Sequence, residues 1–325
     1  MALSDLAVFS EYAYSSMTEV VAQQVELFNA ASQNTITLTP AANQGDYNDK
    51  AHWKKISGLV RRRNAYGSGA VSEKVLEHLV DTMVKVASGT PPVRIDPGML
   101  KWIQRSEEEA GVVIGQQLAG DLLADMLNTA ILAGYTAMAQ NSAMLYDATG
   151  DTPDELSYSA MNKAAAKFGD RSGDIRAWVS HSVPYHDLIG ANLTNSNDLF
   201  RFETVAVTTD HIGRPIIISD SPSLLDTTPT PDVYYCLGLT TGALNVEQNN
   251  DFDTNVDKSN GDENIVRTWQ GEWSYNLGVK GYAWDKTNGG KSPTDAALAV
   301  STNWDKYVTS DKDGPGVLLK VDFAA

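Results

Sequence analysis

Between Asp96 and Gln140 the only proline is Pro97, and the next after it is Pro153. Within this stretch apolar residues recur at Leu100 and Ile103, then at Ile114, Leu118, Leu122 and Met126, and again at Leu127, Ile131, Tyr135 and Met138. That spacing is helical and not that of a strand. Asp96 can cap the first amides, and Pro97 fits the first turn, where a missing N–H costs nothing. The pattern predicts one helix over residues 98–140, roughly 60 Å long at 1.5 Å per residue. That is longer than a compact domain needs. Such a rod is either a spine on which separate lobes hang or the long core helix of an α+β enzyme, and this segment alone leaves both open.

The 325 residues are 42% hydrophobic and 20% charged, which describes a globular chain with one large core or two modest ones. No apolar run reads as a membrane span, and Asp5 and Glu11 stand where a signal peptide would be basic, so the expectation is a cytoplasmic protein without a membrane partner. Cys236 is the single cysteine, which excludes an intrachain disulfide. Its setting, VYYCLGL, reads as a buried strand thiol and not a nucleophile.

The net charge of −16 is unevenly placed. Residues 1–95 hold nine Lys+Arg and nine Asp+Glu, whereas residues 96–325 hold sixteen against thirty-two. The neutral N-terminal part also gathers Lys50, Lys54, Lys55, Arg61, Arg62 and Arg63 within fourteen positions. A basic finger on an acidic body favours pairing between copies of the chain. The plainer reading is a solvated loop, and nucleic-acid binding ranks third because the body would repel phosphate.

Along the chain, residues 3–31 read as an amphipathic helix or arm and NTITLTP at 34–40 as a strand. The polar, glycine-punctuated segment 41–69 is too long for an ordinary connection and is expected to reach outward as a hairpin. VLEHLVDTMVKV at 75–86 mixes helical and alternating spacing, so its type stays open. After the long helix come a helix over SYSAMNKAAAKFGDRSG, a strand over DIRAWVSHSV with Ile175, Ala177 and Val179 inward, and a short helix over YHDLIGANL. TVAVTTD and GRPIIISDSP are expected to pair, DVYYCLGL and TWQGEWSYNLGVKGYAWD to be strands, SPTDAALAV to start a helix, and GVLLKV to close the fold as a strand.

Motifs that announce an enzyme each fail on a particular residue. GKS at 290–292 lacks the upstream P-loop glycine, whose place is taken by Asp285. Asp251, Asp253, Asn255 and Asp257 alternate like calcium ligands, yet the turn glycine is Val256 and the twelfth position is Asp262, so a solvated loop is preferred and calcium binding at 251–262 is left open. His181, His186 and Asp187 have the chemical types of a metal site but fall on different elements around Pro184, so packing roles are expected. No cofactor and no catalytic set is expected.

The order of parts resembles the major capsid proteins of tailed bacteriophages, with the α+β fold named for phage Hong Kong 97. The resemblance is carried by PPVRIDPGMLKWIQR, IGQQLAGDLLADMLNTAI, GDRSGDIRAWVSHSVPYHDLIGANL, GRPIIISD, SPTDAALAVSTNWDKY and GPGVLLKV. It implies an N-terminal arm at 1–33, an extended loop at 34–71, a peripheral domain of 72–150 and 301–325 with the spine helix 98–140, and an axial domain at 151–300. It further implies pentamers and hexamers in an icosahedral head that encloses double-stranded DNA without reading its sequence, assembled in the host bacterial cytoplasm. Scaffolding and portal proteins, and a cement or decoration protein, are the implied partners; with so little chain before the spine helix, the scaffold is expected to be a separate protein. In that family the extended loop lies across a neighbouring subunit. Lys54, Lys55, Arg61, Arg62 and Arg63 are therefore the expected contacts, with Glu107, Glu108 and Glu109 as their acidic partners. Some relatives crosslink through a loop lysine, but nothing in this sequence identifies the acceptor or the catalytic acid. An encapsulin-like shell, a metal-dependent α+β enzyme centred on His181 and His186, and a tail or decoration component are the competing readings. An arm and hairpin without a core of their own are expected to be buried only by neighbours.

Overall fold

The mixed polar and apolar start of the chain forms a helix, α1 (Leu3–Ala31), whose buried residues Ala13, Met17, Val21 and Phe28 share one face at helical spacing. The computed structural model describes residues 3–41, 45–54, 56, 58–95, 107–151, 154–192, 197–202, 205–209, 213–260 and 266–322. The proline-free segment is helical over α2 (Glu107–Ala139); the expected earlier part of that helix, with Asp96 and Pro97, lies outside the described residues.

Between the helices lie β1 (Ile36–Ala41), β2 (Tyr47–Trp53), β3 (His78–Gly89) and β4 (Val93–Ile95). After α2 come β5 (Leu145–Asp147), α3 (Tyr158–Ala166), β6 (Ile175–Ser180), α4 (Ser182–Asn192), β7 (Asn197–Phe202), β8 (Val205–Thr209), β9 (Pro215–Ile218), β10 (Leu225–Asp226) and β11 (Val233–Thr240). The chain finishes with β12 (Leu244–Asn249), β13 (Asp253–Ser259), β14 (Val266–Val279), β15 (Tyr282–Trp284), α5 (Asp295–Leu298), β16 (Trp304–Lys306) and β17 (Gly316–Asp322).

Two sheets result. In the first, β1, β12, β14, β15 and β16 lie in that order; β13, β3 and β4 also pair with β14, and β2 pairs with β3. In the second the order is β5, β17, β11, β6, β9, β8 and β7, with β10 on β11. The segment at 75–86, open from its spacing, is the strand β3, held between β2 and β14 by antiparallel pairing. β11 and β12 follow one another through a turn at Gly242 (φ +64°) yet enter different sheets, and β17 pairs with β11 and β5, away from β3.

The spine helix sits in a single core with both sheets: Leu122, Leu123, Met126, Leu127, Ile131 and Met138 pack with Leu244, Leu277, Val179, Leu237 and Leu318. Gly111–Ala139 is in fact long and apolar enough to cross a membrane, contrary to expectation, but two thirds of its most apolar window is buried inside the fold. Its apolarity serves packing on several sides at once. The other face of the second sheet is covered by α3 and α4, with Met161, Phe168, Trp178, Cys236 and Leu319 as their core.

Ile175 is buried like Ala177 and Val179, but on the opposite face of β6. The register between β6 and β11 shifts between Leu239–Ala177 and Thr240–Ile175. The extra residue turns Ile175 into the core beneath α3 and α4, while Ala177 and Val179 face the spine. The arm also differs from expectation: α1 packs along α2 of its own chain, so much of its apolar face is buried without a neighbour.

Candidate intersubunit surface

The part of the chain that leaves the body is the β2–β3 hairpin, since β1 is already paired in parallel with β12. Its ladder runs from Tyr47 opposite Val84 to Trp53 opposite His78, and the Lys54 amide closes it on the Glu77 carbonyl at 2.8 Å. Beyond that, the described residues of the tip form only a turn at Asn64, whose side chain accepts the Tyr66 N–H at 3.0 Å. Val60 and Tyr66 are 95% and 99% exposed, and Leu59, Val71, Val75 and Leu76 are exposed as well. Val60 and Tyr66 presented this way have almost no burial within their own chain.

The root of the hairpin is tied down electrostatically. Lys50 pairs with Glu247 on β12, which also accepts a hydrogen bond from the Asn48 amide at 2.9 Å. Lys286 lies 2.6 Å from Asp49, which accepts a second bond from Thr82 at 2.8 Å, and Lys291 lies 2.7 Å from Asp46. The Lys286 ammonium holds the Asp49 carboxyl below its usual range, and Lys291 does the same for Asp46.

The expected contact residues divide accordingly. Lys54 pairs with Glu77 of its own hairpin at 2.5 Å. Lys55 lies outside the described residues. Arg61, Arg62 and Arg63 are exposed and carry no ion pair among the described residues. Glu107 and Glu108 open α2, with side chains outside the described residues; Glu109 is exposed and already interacts within its own chain.

At the hairpin root a cleft of about 490 Å³ is lined by His52, Asp81, Lys280 and Tyr307. Burial raises the Asp81 pKa against the opposing pull of His52, Lys50 and a Tyr307 hydrogen bond, and its Oδ1 is buried without a partner among the described residues. Burial likewise lowers the Lys280 pKa and pushes Tyr307 up to about 12. Sequence reasoning passed over this cluster; its one visible signal is a lone carboxylate in the apolar run LVDTMV.

The remaining motifs resolve as packing. Lys291 of GKS pairs with Asp46, and the Gly290 carbonyl accepts the Trp284 indole N–H at 2.9 Å. Within the 251–262 segment, residues 253–259 are the strand β13 and Asp251 accepts the Ser274 N–H at 2.9 Å and its hydroxyl, while Asp262 lies outside the described residues. His181 Nδ1 accepts the Val183 N–H at 3.3 Å, its Nε2 is 3.6 Å from Asp220, and its ring lies against Tyr234. Among the described residues no three metal-capable side chains converge.

The Gp13-like family, described as major capsid protein 13-like, matches residues 5–318. The fold is similar to that of the cyanophage Pam1 capsid asymmetric unit (TM-score 0.52, 11% identity, 88% of each chain). It is also similar to the head structure of Helicobacter pylori bacteriophage KHP40 (TM-score 0.51, 9% identity, 90% of this chain and 89% of that one). The capsid of Ralstonia phage GP4 is a third similar structure (TM-score 0.50, 11% identity, 90% and 88%). No curated protein matches the chain.

Proposed function

The chain belongs to the Gp13-like family of major capsid proteins, and from that premise we propose that its copies gather as pentamers and hexamers into an icosahedral phage head around double-stranded DNA. It is a structural protein and not an enzyme. The supporting observation is the hairpin tip, which offers exposed apolar side chains and Arg61, Arg62 and Arg63 with no partner of their own among the described residues. A tip of this kind gains burial only on another molecule. The rest of the chain carries the excess acid, sixteen Lys+Arg against thirty-two Asp+Glu after residue 95. Such a wall attracts the basic tip of a neighbouring copy and repels packaged phosphate. Scaffolding, portal and cement or decoration proteins complete the proposed partners, with assembly in the host bacterial cytoplasm and the mature protein in the virion.

Sedimentation and negative-stain imaging of the expressed protein, alone and with a scaffolding protein from the same phage, test this. The expected result is closed shells of megadalton mass. A 35.1 kDa monomer under both conditions, with no protease-sensitive segment in the hairpin tip, would overturn it.

A further inference from the structure

On the hairpin ladder Lys50 of β2 stands directly opposite Asp81 of β3. Directly opposed side chains of an antiparallel pair project from the same face with Cβ atoms about 5 Å apart, so an ammonium and a carboxylate placed there ordinarily pair. This pair is not made. Lys50 reaches instead to Glu247 of β12, and Asp81 Oδ1 is buried with no hydrogen-bond partner among the described residues. A buried carboxylate oxygen left without a partner is costly. Tyr307 bonds the same carboxyl and His52 attracts it through space, yet burial still holds its pKa above the ordinary value.

One cation therefore serves two carboxylates, and both Lys50 and Glu247 are close enough for their charges to act on Asp81. After losing Lys50, Glu247 would keep the Asn48 amide at 2.9 Å, while Asp81 would gain the partner it lacks. Two arrangements that trade one ion pair for another lie close in free energy and make a two-state element. The Lys50 side chain is 43% exposed and turns on a flexible four-carbon stem. The two positions differ in what they join. With Glu247, Lys50 ties the hairpin to β12 of the body; with Asp81, it closes the hairpin on itself. The ties that then remain, Lys286 to Asp49 and Lys291 to Asp46, both come from the segment between β15 and α5 and act as a pivot. The cleft of about 490 Å³, lined by Asp81 on the hairpin and Asn245 on β12, leaves room for the movement. We propose that Lys50 is a two-position switch at the hairpin root, holding the hairpin to β12 through Glu247 in one position and freeing it to pivot by pairing with Asp81 in the other. The device acts within one chain, so it goes beyond the shell reading and stands or falls apart from it.

Nitroxide labels at His78→Cys, the end of the ladder, and at Val300→Cys on the body report the swing, since both positions are exposed and the native Cys236 is buried. Pulsed electron paramagnetic resonance on the subunit should give one main distance. Glu247→Gln should move most of the population to a second distance, as Lys50 turns to Asp81, and Glu247→Gln/Asp81→Asn should replace that second distance with a broad spread. Asp81→Asn alone should keep the first. Identical distributions for Glu247→Gln and Glu247→Gln/Asp81→Asn overturn the proposal, as does a Glu247→Gln distribution that matches the unaltered one. If the labelled chains do not fold, hydrogen exchange of residues 47–53 in unlabelled chains decides. Asp81→Asn should lower their protection about threefold in the Glu247→Gln background and not in the unaltered one. An equal effect in both backgrounds overturns the proposal.

Discussion

Gly115 of α2 faces the Ala13 carbonyl oxygen of α1 so closely that a Cβ added at Gly115 would lie 2.4 Å from it. The two long helices therefore meet backbone to side-chain-free backbone at this point, and Met17 and Val21 bury along the same face. Gly115→Val must push α1 outward, because the obstructing atom is main chain and cannot rotate away. The expected cost is about 2–3 kcal/mol, seen as a lower thermal midpoint of the subunit. Gly173→Ala, where nothing lies within 4 Å of the added atom, should leave the midpoint unchanged. Equal midpoints for the two variants would mean that the helix contact is unimportant.

That contact marks where sequence reading stops. The helical spacing of Met17, Val21 and Phe28 shows that α1 has an apolar face, but not which surface covers it; the face found its partner inside the same chain. Lys54 looked like a free cation because Glu77, its partner, is 23 residues away across a hairpin whose register is invisible in the sequence. Arg61, Arg62 and Arg63 were legible because three adjacent like charges in a polar segment have few ways to be neutralised locally. The described part of the spine helix was legible because eight apolar positions from Ile114 to Met138 recur at helical spacing. The inward set on β6 was misjudged at Ile175, since one inserted residue reverses a strand's faces and leaves no mark in composition.

Cys236 should be inert in the folded protein. It is 1% exposed, its sulfur lies 3.4 Å from the Ser180 hydroxyl, and burial pushes its pKa up to about 12. At neutral pH almost no thiolate forms, and reagent cannot reach it. A chromogenic thiol assay should detect no reaction in native subunits and one thiol per chain in denaturant. Rapid native labelling would show that β11 opens far more readily than its central place in the sheet implies.

Asp81 gives the hairpin root a pH dependence of predictable sign. Its folded pKa is raised above the ordinary 3.8, chiefly by burial. Its contribution is thus most favourable below the unfolded pKa and is lost as pH rises through the folded one. Asp81→Asn removes the charge and keeps the shape, so it should raise the subunit's thermal midpoint by about 1–3 °C at pH 7 and have little effect near pH 3.5. Destabilisation at pH 7 would mean that attraction from His52 and Lys50 outweighs the burial cost.

Reversing Arg61, Arg62 and Arg63 together to Glu separates assembly from folding. These side chains are exposed and lie outside the core clusters, so the subunit's midpoint should move by less than about 0.5 kcal/mol equivalent. Assembly yield should fall, and the salt dependence of assembly should flatten, because each exposed pair contributes under about 1 kcal/mol but recurs in every copy of a symmetric shell. Unchanged yield at low and high salt, measured by sedimentation, would remove the arginines from the interface.

Asn29 guards the edge of the first sheet, and its loss should be felt in two ways. The amide is the partner of both the Leu38 N–H and the Leu38 carbonyl, at 3.0 and 2.7 Å, and Leu38 itself is only 3% exposed. Asn29→Ala leaves both main-chain groups without their partner in a mostly buried setting, which costs about 1–3 kcal/mol. It also uncovers one N–H and one C=O on a strand that, among the described residues, pairs only with β12, and an open edge invites pairing between chains. Thermal unfolding should therefore show a lower midpoint, while under conditions in which the unaltered chain stays a dissociated subunit, the weight-average mass of the variant from light scattering should rise with concentration. A lower midpoint without association would assign edge protection to Pro40 alone and reduce Asn29 to a local brace.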